Sequence, residues 1–159
     1  MAELSFRYAE EKDSELILYF IKEIAKYENM LDEVDATVDL IKKGVFETKT
    51  AEVLFIQEDN KEVGFALFFH NFSTFTGKPG LYLEDIFIKE EYRHKGYGKA
   101  TLKKLAKIAI ERDCARFEWV CLDWNEPSIQ FYTSLGAKAM DEWTIYRLSG
   151  EALKKLAED

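Results

Sequence analysis

Residues 92 to 110 carry Arg93, Lys95, Lys99, Lys103, Lys104 and Lys107 and no acidic side chain. The whole chain has 30 Asp plus Glu against 22 Lys plus Arg, a formal net charge of −8. A run of six cations in an acidic chain asks for an anionic ligand. Its first part, Arg93-His94-Lys95-Gly96-Tyr97-Gly98-Lys99, lies between an apolar run and a helical pattern. Glycines there let the backbone turn tightly and aim N–H groups at one point, and a helix start adds partial positive charge. That is the chemistry of a pyrophosphate cradle. A Walker A loop is excluded, because Ala100 follows Gly98-Lys99 where a magnesium-binding hydroxyl is needed. A dinucleotide fingerprint is excluded too, because its third glycine position is Thr101 and several strands precede it. The plainer alternative is a solvated helix face with lysines and no ligand.

Two further groups could move protons. Glu84 and Asp85 interrupt the apolar run Leu81 to Ile88. A carboxylate in such a strand can have its pKa raised by desolvation. Strict alternation sends the two side chains to opposite sheet faces, so one of them faces a substrate. They could equally be held by backbone groups or arginine. Tyr132 lies five positions after Pro127. Its phenol, with a pKa of ~10, is protonated at pH 7 and can supply a proton. It could also be a core aromatic beside Phe131. Asn125 can cap the helix that Pro127 starts, or offer its amide to a ligand. His70 and His94 have no second ligand nearby, and Cys114 and Cys121 form no CxxC pair. No metal site is expected. Trp119, Trp124 and Trp143 read as core or interface residues.

These groups must be positioned by a fold. A length of 159 residues, with 47% hydrophobic and 14% aromatic residues, suits one domain over 1–159 with a real core. The acidic balance disfavours a non-specific nucleic-acid binder. No apolar stretch reaches ~18 residues, so no membrane span is expected. The start, Met1-Ala2-Glu3-Leu4, lacks a signal-peptide pattern, and a cytoplasmic location is expected. Leu4 to Tyr8 alternates as a strand. Asp13 can cap a helix with Ile17, Phe20, Ile21 and Ile24 on one face, and Thr37 can cap a short second helix. Val53 to Gln57 and Val63 to Phe69 read as a strand pair, Asn71 to Gly80 as a loop, and Leu81 to Ile88 as a strand. A long helix follows, burying Leu102, Leu105, Ala106 and Ala109. Phe117 to Leu122 is expected as a strand. Then come a helix ended by Gly136, a strand from Trp143 to Leu148, and a helix from Gly150 to Ala157. The order predicts an α/β (mixed α+β) fold, with a central mixed twisted sheet flanked by helices.

Arg-x-x-Gly-x-Gly between a strand and a helix resembles the acetyl-CoA pyrophosphate motif of the GNAT N-acetyltransferase superfamily. Further motifs sharpen the resemblance: Leu81 to Phe87, Glu91-Tyr92-Arg93, Asp123 to Ile129, Phe131-Tyr132 and Leu135-Gly136-Ala137. Together with Lys22 to Glu28 they are similar to the spermidine/spermine (diamine) and thialysine N-acetyltransferase branch. The resemblance implies a GNAT fold and acetyl transfer from acetyl-CoA, in a ternary complex, to the primary amine of a small molecule. It implies Glu84 as base, acting directly or through water, and Tyr132 as acid. It implies coenzyme contacts from Ile86, Phe87, Ile88, Arg93, His94, Lys95, Gly96, Tyr97, Gly98, Lys99, Asn125 and Ser128. Glu28, Glu84 and Asp85 are implied at the amine, and a homodimer is implied as the assembly. One departure stands out. The polyamine branch has an acid followed by Pro-Trp before the catalytic strand, where this chain reads Ser73-Thr74-Phe75-Thr76-Gly77-Lys78. That shifts the expected acceptor from spermidine toward thialysine or another diamino acid. Acetylation of protein amines, and a non-catalytic acetyl-CoA sensor, are the competing readings.

Overall fold

The computed structural model describes residues 1–158 as two compact units, Met1–Val120 and the residues from Cys121 onward. The first unit is built on five strands: β1 (Leu4–Tyr8), β2 (Glu52–Glu58), β3 (Lys61–Ser73), β4 (Lys78–Ile88) and β5 (Arg116–Trp119). They stand in the order β1-β2-β3-β4-β5. The first four pair antiparallel, and β5 joins β4 in parallel. The parallel step needs a crossover, and helix α3 (Tyr97–Glu111) supplies it.

Helices α1 (Ser14–Tyr27) and α2 (Val38–Ile41, followed by one wide turn over Lys42–Glu47) cover one sheet face. Ile17, Phe20 and Ile41 are buried there against Val53, Phe55 and Phe65. Phe20 stacks on Phe65, with ring centroids 5.4 Å apart. The helical spacing expected for α1 is therefore its packing stripe. Tyr97, at the start of α3, is buried with Ile56 and Val63 in a separate cluster. Leu102, Leu105, Ile108 and Ala109 form the buried stripe of α3, whereas Ala106 is exposed, contrary to expectation.

Caps follow local chemistry. The Thr37 hydroxyl accepts from the Leu40 N–H at 3.2 Å, as expected. Asp13 precedes α1 but does not cap it. Its carboxylate accepts instead from Arg7 and from the Glu10 N–H, because a guanidinium lies 2.8 Å away.

The expected loop over 71–80 is mostly strand. Asn71, Phe72 and Ser73 pair with Gly80, Pro79 and Lys78, leaving a turn at 74–77 with Gly77 at φ +68°. A polar composition says little about strands when a hairpin partner supplies the hydrogen bonds.

In the second unit, α4 (Glu126–Ser134) and α5 (Gly150–Glu158) are helical. The Asn125 side chain accepts from the Ser128 N–H at 3.4 Å, Pro127 sits in the first turn, and Gly136 takes φ +94° past the end. The expected strand over Trp143 to Leu148 is not formed. Alternation suggests a strand, but a strand also needs a ladder partner, and this unit contains none among the described residues. The fifth strand is likewise shorter than the expected 117–122, ending at Trp119.

Candidate active site

Strand β4 changes character at Glu84. From Gly80 to Leu83 it pairs with β3 on one edge and β5 on the other. Beyond Leu83 its only strand neighbour among the described residues is β3. Ile86, Phe87 and Ile88 thus lie on a stretch of β4 with one strand edge open, as an extended ligand arm would need.

The register also breaks there. Leu67 pairs with Asp85 and Phe68 with Leu83, so Glu84 is the extra residue of a β-bulge. The strict alternation expected of Glu84 and Asp85 therefore does not apply. Asp85 lies on the α1 face of the sheet, two residues from Phe87, which packs beside Phe20. Glu84 is exposed and Asp85 is half-buried. The desolvation expected at Glu84 is found at Asp85. Burial, then the charge of Glu84, then the charge of Glu28, push the Asp85 carboxyl up to about 6. The structure thus brings Glu28, Glu84 and Asp85 into one electrostatic group. Glu28 reaches it as the residue that ends α1, where the helix dipole opposes a negative charge.

Next to this group a cleft of about 370 Å³ opens between α1 and the end of β4, with Tyr19, Tyr27, Phe87, Lys89 and Arg93 in its wall. The Arg93 guanidinium lies over Tyr27 and Phe87, at 5.4 and 5.2 Å from the ring centroids. Its Nε donates to the Ile88 carbonyl at 2.7 Å.

The loop between β4 and α3 was expected to be an anion cradle. Its backbone has that form. His94 and Gly96 take φ +64° and +82°, and α3 begins at Tyr97. The first backbone bond into the helix runs from Ala100 N–H to Gly96 O, at 3.0 Å. The N–H groups of Tyr97, Gly98 and Lys99 have no acceptor in the helix. Gly98 has an ordinary backbone, and a Cβ there would meet nothing closer than 3.8 Å. The protein itself does not require glycine at 98, which fits close approach by a ligand. The side chains divide differently from expectation. Lys95 Nζ and the Tyr97 hydroxyl both bind the Glu58 carboxylate, at 3.0 and 2.5 Å, so these two residues offer the loop their backbones. His94 and Lys99 are exposed.

In the second unit, Tyr132 is half-buried. Burial first, and the nearby Cys121 second, push its phenol above the ordinary tyrosine value, against a hydrogen bond from Ser128. It stays protonated at neutral pH. Asn125 and Ser128 are tied together by the cap described above. Among the described residues no three or more His, Cys, Asp or Glu side chains are grouped to hold a metal. His70 lies elsewhere, with Nδ1 on the Gly80 carbonyl at 3.0 Å and Nε2 beside Arg112 at 2.9 Å. No helix of the described residues is long and apolar enough to cross a membrane. The aromatic cleft with Lys89 and Arg93 escaped sequence reasoning. Its only signal was a pair of cations flanking Glu90-Glu91 after the strand.

The profile of the Acetyltransferase (GNAT) family matches residues 14–137. The chain is 35% identical to a thialysine N-epsilon-acetyltransferase of Sus scrofa, covering 99% of each chain. It is 46% identical to an L-ornithine N5-acetyltransferase of Arabidopsis thaliana, over 58% of this chain and 41% of that one. Among solved structures, an integron cassette protein from V. cholerae superposes with a TM-score of 0.81 at 28% identity, covering 98% of each chain.

Proposed function

The chain belongs to the GNAT acetyltransferase family, in the branch that contains the thialysine enzymes, and from that premise we propose that it transfers an acetyl group from acetyl-CoA to the primary amine of a small molecule. The observation that carries this reading is strand β4 itself: an open edge, a bulge whose Glu84 and Asp85 meet Glu28 from the end of α1, and then an N–H cradle. We read residues 1–159 as a single acetyltransferase domain, since the family match runs through both compact units.

The residues fit acetyl-CoA. The N–H groups at the start of α3, with Gly96 and Gly98, would hold the pyrophosphate, with Arg93 to Lys99 forming the loop around it. Ile86, Phe87 and Ile88 would lie beside the pantetheine arm, and Asn125 and Ser128 near the coenzyme from α4. Bound acetyl-CoA supplies the activated thioester.

The remaining chemistry belongs to side chains. An alkyl amine with pKa ~10.4 arrives protonated, and its cation is drawn to Glu28, Glu84 and Asp85. Asp85 is raised to about 6. Ionised at pH 7, yet more basic than an ordinary aspartate, it is suited to take the amine proton. Glu84 shares this work as the neighbouring charge that keeps Asp85 basic, or through a water. Tyr132, protonated at neutral pH, is the proposed acid for the departing thiolate. Transfer is direct, within a ternary complex. A cytoplasmic homodimer without nucleic-acid or membrane partners is the assembly proposed with it, and the acceptor is a diamine, a polyamine, thialysine or a related amino acid.

Release of coenzyme thiol from acetyl-CoA, measured across spermidine, thialysine, lysine, ornithine, simple diamines and a lysine-rich peptide, tests the reading. Release with one or more small amines is expected, and Tyr132→Phe is expected to lower turnover while coenzyme binding survives. Release only with the peptide would replace the small-amine reading with protein acetylation. Coenzyme binding with no release at all would make the protein a sensor.

A further inference from the structure

The cleft beside the acidic group contains two cationic side chains: Lys89, which has no other proposed part, and Arg93, which opens the coenzyme loop and whose guanidinium lies over Tyr27 and Phe87 in the cleft. Arg93 is half-buried, donates through Nε to Ile88 O, and forms no ion pair among the described residues. Lys89 is half-buried, lies 5.6 Å from the Tyr19 ring centroid, and likewise forms no ion pair among them. The third cation of the cleft, Lys26, is already neutralised by Glu23 at 3.0 Å. Glu90 and Glu91 also belong to the lining, but both are exposed, where water screens them. The inner wall is therefore positive. Phe87, between the two charge groups, provides an apolar floor: Asp85 lies two strand residues before it, and Arg93 lies over its ring. Two strand residues span roughly 7 Å, within reach of an alkyl chain of a few carbons.

An acceptor with an ammonium at one end and a carboxylate at the other would match this wall, whereas a plain diamine would bring a second ammonium toward Lys89 and Arg93. Resting on the small-amine reading above, we propose that Arg93 and Lys89 form a carboxylate subsite that selects diamino acids over diamines. The planar guanidinium, held by Tyr27, Phe87 and Ile88 O, is oriented before the ligand arrives, so little freedom is lost on binding. Phe87 and Tyr27 cover the ligand's methylene groups. The subsite sets specificity by favouring one charge and opposing another at the same place.

The test compares each amino acid with its own decarboxylated form: lysine with 1,5-diaminopentane, and ornithine with 1,4-diaminobutane. The wild-type protein is expected to favour the amino acid in kcat/KM. In Lys89→Ala and Arg93→Lys that preference should fall about 10- to 100-fold, the range of a lost charge-assisted contact, mainly through KM for the amino acid. Calorimetric titration of lysine into the coenzyme A-bound protein should show the same weakening, independently of turnover. A preference that falls at least fivefold in either variant supports the subsite. A preference that stays within fivefold in both overturns it, including the case in which Arg93→Lys raises KM for acetyl-CoA and loses activity equally on both acceptors. Thermal melts confirm folding, and Lys89→Ala decides the matter should the Arg93 variant fail to fold. Wild-type transfer with an unmoved preference removes the subsite alone; absence of transfer to every amine removes the small-amine reading along with it.

Discussion

Helix α1 has a buried or half-buried acid beyond each end, and the two ends are treated in opposite ways. Before its first turn, Asp13 receives Arg7 through two nitrogens, at 2.8 and 3.0 Å, and the Glu10 N–H at 2.8 Å. Arg7 in turn binds Glu62 at 2.6 Å and lies over Phe55. The Arg7 hydrogen bond holds the Asp13 carboxyl below its ordinary value. After the last turn, Glu28 faces the unfavourable end of the helix dipole and raises Asp85 instead of relieving it. No cation is within ion-pair distance of Asp85, Glu84 or Glu28 among the described residues. A compensated carboxylate near the N-terminal end serves the fold. An uncompensated one near the C-terminal end costs stability, and it is the one to which the proposed function assigns the chemistry.

Removing the charge to which the proposed function assigns the chemistry should have the largest effect. Asp85→Asn is expected to lower kcat/KM by about 10²- to 10⁴-fold, the usual yield of a general base. Its thermal midpoint should stay level or rise, because the lost charge was repelled by two neighbours. An active Asp85→Asn protein would break the contrast outright. At the other end the outcome reverses. Asp13→Ala should lose roughly 2–3 kcal/mol in urea unfolding, since Arg7 and the Glu10 N–H lose a charged acceptor. Transfer per folded molecule should stay near wild type.

The pH dependence of stability sharpens the contrast further. Asp13 has a folded pKa below its unfolded value. Its contribution is present above the ordinary aspartate range and disappears as pH falls through the folded value. Asp85 has a folded pKa of about 6, above the unfolded value. The folded state then holds the extra proton, and stability declines as pH climbs from about 4 to 6. Asp85→Asn should flatten that upper window, and Asp13→Ala the lower one, when unfolding is followed against pH. The smallest effect is expected from Glu28→Gln. It removes the third cause of the Asp85 shift, so the acidic limb of kcat/KM should move down by a fraction of a pH unit. An unmoved limb would show that Glu28 does not act on the titrating group.

Much of this was legible in the residues. The stripe Ile17, Phe20 and Ile24 marked α1, Thr37 and Asn125 marked caps, and Gly96 with Gly98 marked the turn into α3, because each depends on neighbours in sequence. The expected participants Glu28, Glu84 and Asp85 do gather in space. What escaped depended on distant partners. Asp13 was read as a cap, but Arg7 claims its oxygens. The loop at 71–80 was missed because its hydrogen bonds come from hairpin pairing. The bulge at Glu84 is visible only as a register change against Leu67 and Phe68, and it decides which acid is half-buried. Trp143 to Leu148 alternates like a strand, yet it forms no ladder among the described residues. The cleft with Arg93 over Phe87 is likewise a product of packing.

The most direct test of the central claim is the pH profile of coenzyme thiol release from acetyl-CoA with a small diamino acid, for the wild-type protein and Asp85→Asn. The account predicts wild-type activity that climbs through a limb near pH 6, and a variant that loses both that limb and the bulk of the rate. An Asp85→Asn protein that keeps the limb and a wild-type rate would contradict the assignment of the raised carboxylate as the group that takes the amine's proton.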